Sequence, residues 1–194
     1  ASRSQGDSGV VTAHAFLAVD VTDDERHRLA AALTDASPGR PLPGRRHPPQ
    51  NWHITLRFLG ECSDGDGERI MHHLAATVDV APARVWCDGI DAFPTPAKAR
   101  VVYGSIDDPS GILTYLAALS DEAASDIGTP PEDRHYVPHL TLSRLRPAQD
   151  LRGLLAAFGE YRVPLDVTSI TLFRTFSTRD GVRYGVVESI PLGR

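Results

Sequence analysis

The sequence predicts an α+β fold, with antiparallel sheets and helices packed outside them. Three observations carry this. Apolar runs of strand length recur along the 194 residues. Several come as neighbouring pairs joined by turn residues. Amphipathic helical stretches separate these pairs. Runs of paired strands exclude a simple doubly wound parallel sheet.

The elements follow in order. Residues 15–19, AFLAV, read as a buried strand. Thr22 with Glu25 forms a capping box, and Leu29, Ala32 and Leu33 recur at helical spacing to about Ala36. Residues 37–50, SPGRPLPGRRHPPQ, hold five prolines and two glycines and are expected to form an irregular loop, long enough to be functional. A strand is expected over 52–59 and a helix over 64–78. Strands over 84–92 and 100–106 flank the turn FPTPAKA. Asp108 is expected to cap a helix with Pro109 at its first position, its apolar face marked by Leu113, Leu116, Ala117, Ala124 and Ile127. A strand over 137–145 and a short helix over 151–158 follow. Strands over 163–176 and 182–190, joined by the turn TRDG, close the chain.

Composition bounds the function. Hydrophobic residues are 41% and charged residues 23%, an ordinary globular balance for one domain, expected over 13–194 after a polar, disordered leader at 1–12. The net charge of −5 is the wrong sign for coating a long nucleic acid, so a nucleic-acid partner is expected to be met at one phosphate. Cys62 and Cys87 lack CxxC spacing, and a reduced cytoplasmic protein is the simpler reading, with a disulfide between them left open. No run approaches the roughly 18 apolar residues of a membrane span. There is no HExxH, and His72 and His73 are adjacent, so a helix would splay them. The sequence does not decide oligomeric state, although a monomer is the simplest expectation.

One internal echo carries the chemistry. Residues 51–60 read NWHITLRFLG and residues 138–146 read PHLTLSRLR. Each holds His, apolar, Thr, apolar: His53-Ile54-Thr55-Leu56 and His139-Leu140-Thr141-Leu142. Side chains alternate along a strand, so each motif offers an imidazole and a hydroxyl on one face and an apolar anchor on the other. With 8 histidines, a shuffled chain would hold about 0.09 such tetrapeptides, so the duplicate is informative where one copy would not be. Acidic residues are absent between Asp35 and Glu61, a window holding Arg40, Arg45, Arg46, His47, His53 and Arg57. They are also absent between Asp133 and Asp150, a window holding Arg134, His135, His139, Arg144 and Arg146. An acidic chain that clears carboxylates from around both motifs fits an anionic ligand.

These motifs resemble the two-histidine phosphoesterase superfamily, and within it the bacterial and archaeal RNA 2′,3′-cyclic phosphodiesterases, also named 2′-5′ RNA ligases. The supporting text is AFLAVDVTDDERHRL (15–29), HITLRFLGE (53–61), DAFPTPAKARVVYGSI (91–106) and YVPHLTLSRL (136–145). The resemblance spans about 13–191. It implies two pseudo-symmetric lobes of antiparallel sheet with outer helices and a central cleft, each lobe giving one motif strand. It implies hydrolysis of RNA 2′,3′-cyclic phosphate ends to 2′-phosphates without metal or cofactor, with reversible 2′-5′ ligation as a further reaction. His53 would be the proton donor and His139 the proton acceptor. Thr55 and Thr141 would hold phosphate oxygens. Arg144 matches a family arginine, but strand alternation puts it on the face opposite His139 unless a bulge intervenes. Arg57 has cleft parity. Phe58 matches a family aromatic that stacks on a base, yet its parity points to the core. Trp52 reads as packing. The partners implied are RNA ends or nucleotides held at one phosphate, with no membrane. A same-superfamily enzyme acting on a small cyclic nucleotide or oligoadenylate, or a non-catalytic nucleotide- or RNA-binding module, would carry the same motifs. Residues 37–50 and 129–136 would decide between them.

Overall fold

Nine strands and four helices make up the computed structural model, which describes residues 13–178 and 181–193. The expected leader at 1–12 and the centre of the TRDG turn lie outside those residues. In chain order the elements are β1 (Ala13–Asp20), α1 (Asp23–Ala36), β2 (Arg45–Arg46), β3 (His53–Cys62), α2 (Asp64–Thr77), β4 (Ala83–Phe93), β5 (Ala99–Asp107), α3 (Ile112–Ser125), β6 (His139–Gln149), α4 (Arg152–Ala157), β7 (Arg162–Val167), β8 (Ser169–Thr178) and β9 (Gly181–Pro191).

All strands join one antiparallel sheet in the order β7-β4-β5-β6-β3-β1-β8-β9, with β2 added beside β6. The order is symmetric about its centre. Four strands lie on each side of the β6–β3 seam, and the two motif strands are the ones that meet there. The seam consists of a single residue pair, Ile54 opposite Leu140. The two lobes implied by the resemblance are therefore two halves of one sheet.

The helices cover one face. Ile54, Leu56, Leu140 and Leu142 are at most 5% exposed and share a core with Leu29 of α1, Ile70, Met71 and Leu74 of α2, and Leu113 and Leu116 of α3. Burying each such side chain contributes roughly 1.5–3 kcal/mol, so the apolar residues of the motifs lock the polar ones to the opposite face. The capping box of α1 forms as expected, and Glu25 does more than cap. It is buried, and its Oε1 accepts the Asp166 amide at 2.7 Å, fastening α1 to β7. A second capping box, Ser63 with Asp66, starts α2.

Three expectations change. The helix after Asp108 begins at Ile112, with Gly111 in the left-handed region as its cap, and Asp108 accepts from the Ile112 and Leu113 amides at 3.1 and 2.9 Å. Pro109 therefore lies before the helix. The strand expected over 163–176 is two strands, β7 and β8, in different halves of the sheet. Buried Val163, Leu165 and Val167 are odd-numbered while Ile170 and Leu172 are even-numbered, and the break falls at Thr168. The proline-rich segment is not wholly irregular, because Arg45–Arg46 pair with Arg144 and Ser143 of β6. Cys62 and Cys87 are both buried and free, and burial pushes the Cys87 thiol up to about 11.

Candidate active site

Pairing of Ile54 with Leu140 fixes the layout of the site. On antiparallel strands this sets His53 across from Thr141 and Thr55 across from His139, all on the face away from the helices. The two imidazoles are diagonal neighbours, with backbones roughly 7–8 Å apart by strand geometry. One phosphate fits between two such side chains.

Each imidazole is oriented in the same way. His53 Nδ1 lies 2.8 Å from the Asn51 carbonyl and His139 Nδ1 lies 2.7 Å from the Val137 carbonyl. A carbonyl only accepts, so Nδ1 carries the proton in both rings, and Nε2 is the atom free for chemistry. Asn51 is itself anchored, donating Nδ2 to the Val182 carbonyl of β9 at 2.7 Å.

Both rings sit in aromatic cups. Phe16 stands 4.6 Å and Phe173 6.0 Å from the His53 ring, and Tyr184 meets it edge-on at 5.1 Å. Phe93 and Tyr103 meet His139 edge-on at 5.1 and 5.4 Å. Burial among these rings pushes His53 down to about 4, against the upward pull of the Asn51 bond; the charges of His47, His139 and Arg144 push it further down. His139 is lowered for the same first reason, opposed by the Val137 bond and reinforced by Arg144. Burial thus favours the neutral form of both imidazoles. The cup residues lie on β1, β4, β5, β8 and β9 and carried no sequence signal beyond ordinary strand alternation.

Bulges decide the remaining site residues. Leu17 pairs with Arg57 and Ala18 with Thr55, leaving Leu56 as the extra residue in β3. Val102 pairs with Ser143 and Tyr103 with Thr141, leaving Leu142 as the extra residue in β6. Each motif therefore ends in a bulge at its second apolar residue, which reverses parity beyond it. Arg144 turns to the histidine face, exposed and close enough to lower both imidazoles. Phe58 turns to the same face, 55% exposed, with its ring 5.9 Å from Phe16. Arg57 turns away, correcting its expected place in the cleft. It is buried, its Nε 2.7 Å from Asp121 and its Nη1 2.6 Å from Glu132, and it donates to the Pro130 carbonyl. Trp52 packs in the core, donating to the His47 carbonyl at 3.1 Å. In the 129–136 segment, Tyr136 donates its hydroxyl to the Thr55 carbonyl at 3.0 Å.

A cavity of about 880 Å³ lies between α1, the 37–50 segment and the apolar side of the motif strands, lined by Leu33, Leu42, Arg46, Trp52 and Leu142 among others. None of His53, Thr55, His139 or Thr141 lines it, so this cavity lies on the face opposite the four polar motif side chains. Among the described residues no cluster of three or more His, Cys, Asp or Glu could hold a metal ion, and no helix is long and apolar enough to cross a membrane.

The chain is similar to known proteins over most of its length. A protein of Aeropyrum pernix named RNA 2′,3′-cyclic phosphodiesterase is 32% identical over 158 residues, covering 79% of this chain and 89% of that one. One of the same name from Archaeoglobus fulgidus is 34% identical, covering 68% and 72%. A Thermus thermophilus crystal structure superimposes with a TM-score of 0.74 at 24% identity, covering 92% and 97% of the two chains. Escherichia coli LigT complexed with 3′-AMP does so at 0.71 and 23%, covering 95% and 100%. The model of the 2′-5′ RNA ligase superfamily matches residues 22–178, and the chain belongs to that superfamily.

Proposed function

We propose that this protein opens RNA 2′,3′-cyclic phosphate ends to 2′-phosphates without a metal ion. One observation carries the reading: two imidazoles on the neighbouring strands β3 and β6, each held at Nδ1 by a backbone carbonyl so that Nε2 is left to react. The names of the relatives point to the same substrate.

The steps balance as follows. His139 Nε2 takes a proton from water as the water oxygen bonds to phosphorus. The bond from phosphorus to the ribose 3′-oxygen breaks in line, and His53 Nε2–H delivers its proton to that oxygen. Thr55 and Thr141 hydroxyls hold the non-bridging oxygens, and Arg144 offsets their charge. Burial favours neutral His53, and the anionic phosphate is the charge that would bring its pKa up and load the proton. A ribose 5′-hydroxyl in place of water, giving its proton to the same base, would make a 2′-5′ linkage. Phe58, exposed on the cleft face, offers a ring on which a base stacks.

The test is incubation with an oligonucleotide ending in a 2′,3′-cyclic phosphate, in EDTA. A 2′-phosphate is expected. A 3′-phosphate would reverse which oxygen His53 protonates, and loss of activity in EDTA would end the metal-free mechanism.

A further inference from the structure

Directly opposite Arg144, across the β2–β6 pairing, stands Arg45. Paired residues share a face, so Arg45 lies on the histidine side. Both arginines are exposed, and neither has an ion-pair partner among the described residues. Both act on Tyr184, the ring packed edge-on against His53. Like charges directly opposite destabilise a strand pair, yet this two-residue strand is firmly held. The His47 amide donates to the Leu142 carbonyl at 2.8 Å, and the Ser143 hydroxyl donates to the Pro43 carbonyl. Gly44 has φ +79°, and a Cβ there would lie 2.5 Å from the Arg144 carbonyl oxygen, so only glycine admits this close approach. The fold spends several interactions on pairing two arginines across β2 and β6, with the Arg45 guanidinium reaching Gly181 at the start of β9 and both charges acting on Tyr184, an arrangement that a bound anion would stabilise.

We propose that Arg45, with Arg144 beside it, is a second phosphate subsite, and that it takes the phosphodiester on the 5′ side of the reacting nucleotide. This rests on the function proposed above. Thr141 lies across from His53, and Arg144 lies further along β6, so the arginine pair sits beyond His53 and away from His139. His53 protonates the ribose 3′-oxygen as the ring opens, so the ribose, still bonded to phosphorus through its 2′-oxygen, lies on that side and the chain 5′ of it runs out there, while water enters at His139. The preceding phosphodiester is thus the group presented to Arg45. The chemistry favours an RNA end over a free cyclic mononucleotide.

The experiment measures kcat/KM for a dinucleotide ending in a 2′,3′-cyclic phosphate and for the corresponding cyclic mononucleotide. A hydrogen bond to a charged group contributes about 1.5–3 kcal/mol, so the dinucleotide-to-mononucleotide ratio should fall about tenfold or more in Arg45→Gln. Replacing the single internal phosphodiester with a neutral methylphosphonate should produce the same fall in the wild type and no further fall in the variant. Arg46→Gln, on the opposite face, should keep the wild-type ratio. An unchanged ratio in Arg45→Gln, or equal losses on both substrates, would overturn the second subsite. If the wild type turned over neither substrate, the function reading would fall instead. The subsite would then be read by calorimetry with adenosine 2′,5′-bisphosphate against adenosine 2′-monophosphate. Arg45→Gln must abolish the bisphosphate's advantage, and an advantage that persisted would overturn the subsite.

Discussion

At the residue scale, the His53 and His139 imidazoles each have Nδ1 tied to the backbone carbonyl two residues earlier, which leaves Nε2 for the proposed proton transfers. General acid and base groups contribute typically 10² to 10⁴-fold, so His53→Ala and His139→Ala should each lose at least about a hundredfold in kcat. Thr55→Ala and Thr141→Ala should lose less, because proton transfer survives. A substrate with a better leaving group than ribose should rescue His53→Ala and not His139→Ala. Rescue of His139→Ala instead would exchange the acid and base roles. The half-buried rings also leave a signature in stability. His53 and His47 are held at about 4 by burial, against an unfolded value of 6.5. Above pH 6.5 neither state takes a proton. Between 6.5 and 4 the unfolded chain does and the folded chain does not, so stability should fall as pH falls through that window. Urea melts from pH 7 to 4.5 should show this, and His53→Asn should flatten the slope. An unchanged slope would mean that the aromatic cup does not hold the His53 pKa down. Arg57 presents the opposite case. Its partners Asp121 and Glu132 reach water, so Arg57→Ala should cost roughly 2–3 kcal/mol, below a fully buried pair, and leave KM of the folded enzyme within a few-fold.

At the element scale, the two bulges explain what could and could not be read in the sequence. The motif strands, the helices and the four polar motif residues were legible because a period of two or of 3.6 is written in the apolar residues themselves. Parity beyond Leu56 and Leu142 was not, because a bulge adds one residue without changing composition. A trace of it exists: Leu56 to Leu59 and Leu142 to Leu145 are spaced by three, where an unbroken strand would space its buried residues by two. The same parity flip, Val167 to Ile170, marks the break between β7 and β8. The aromatic cups and the Arg45–Arg144 pairing join residues far apart in sequence, and no local pattern announces them. Gly44 gives the β2 interaction a handle of its own. Gly44→Ala forces a side chain into the left-handed region and against the Arg144 carbonyl. It should release β2 while sparing the His-Thr face. We expect a loss of about 1–3 kcal/mol in stability and a dinucleotide preference reduced like that of Arg45→Gln. Hydrogen exchange at the His47 amide would report the release directly, and full protection there would refute it.

At the scale of the whole molecule, a protein of net charge −5 places two cations, Arg144 and Arg45, on the histidine face beyond His53. Elsewhere, arginines are largely spoken for by acids: Arg26 by Asp20, Arg84 by Asp166, Arg162 by Asp88 and Asp107, and Arg174 by Asp64. A field of this shape attracts a phosphate locally and offers nothing to a long backbone. Each neutralised phosphate of a single strand contributes about 0.7 to the slope of log affinity against log salt. Two subsites therefore predict a slope near −1.5 for kcat/KM of a cyclic-phosphate dinucleotide, roughly twice 0.7. Lengthening the RNA to about twenty nucleotides should leave both the slope and kcat/KM within a factor of about two, because the added phosphates meet net negative surface. A slope steeper than about −4 that grows with RNA length would show a phosphate-tracking groove, and the reading of a one-ended, locally charged cleft would be wrong. A slope near −0.7 for the dinucleotide would leave the scissile phosphate as the sole charge met, with Arg45 idle.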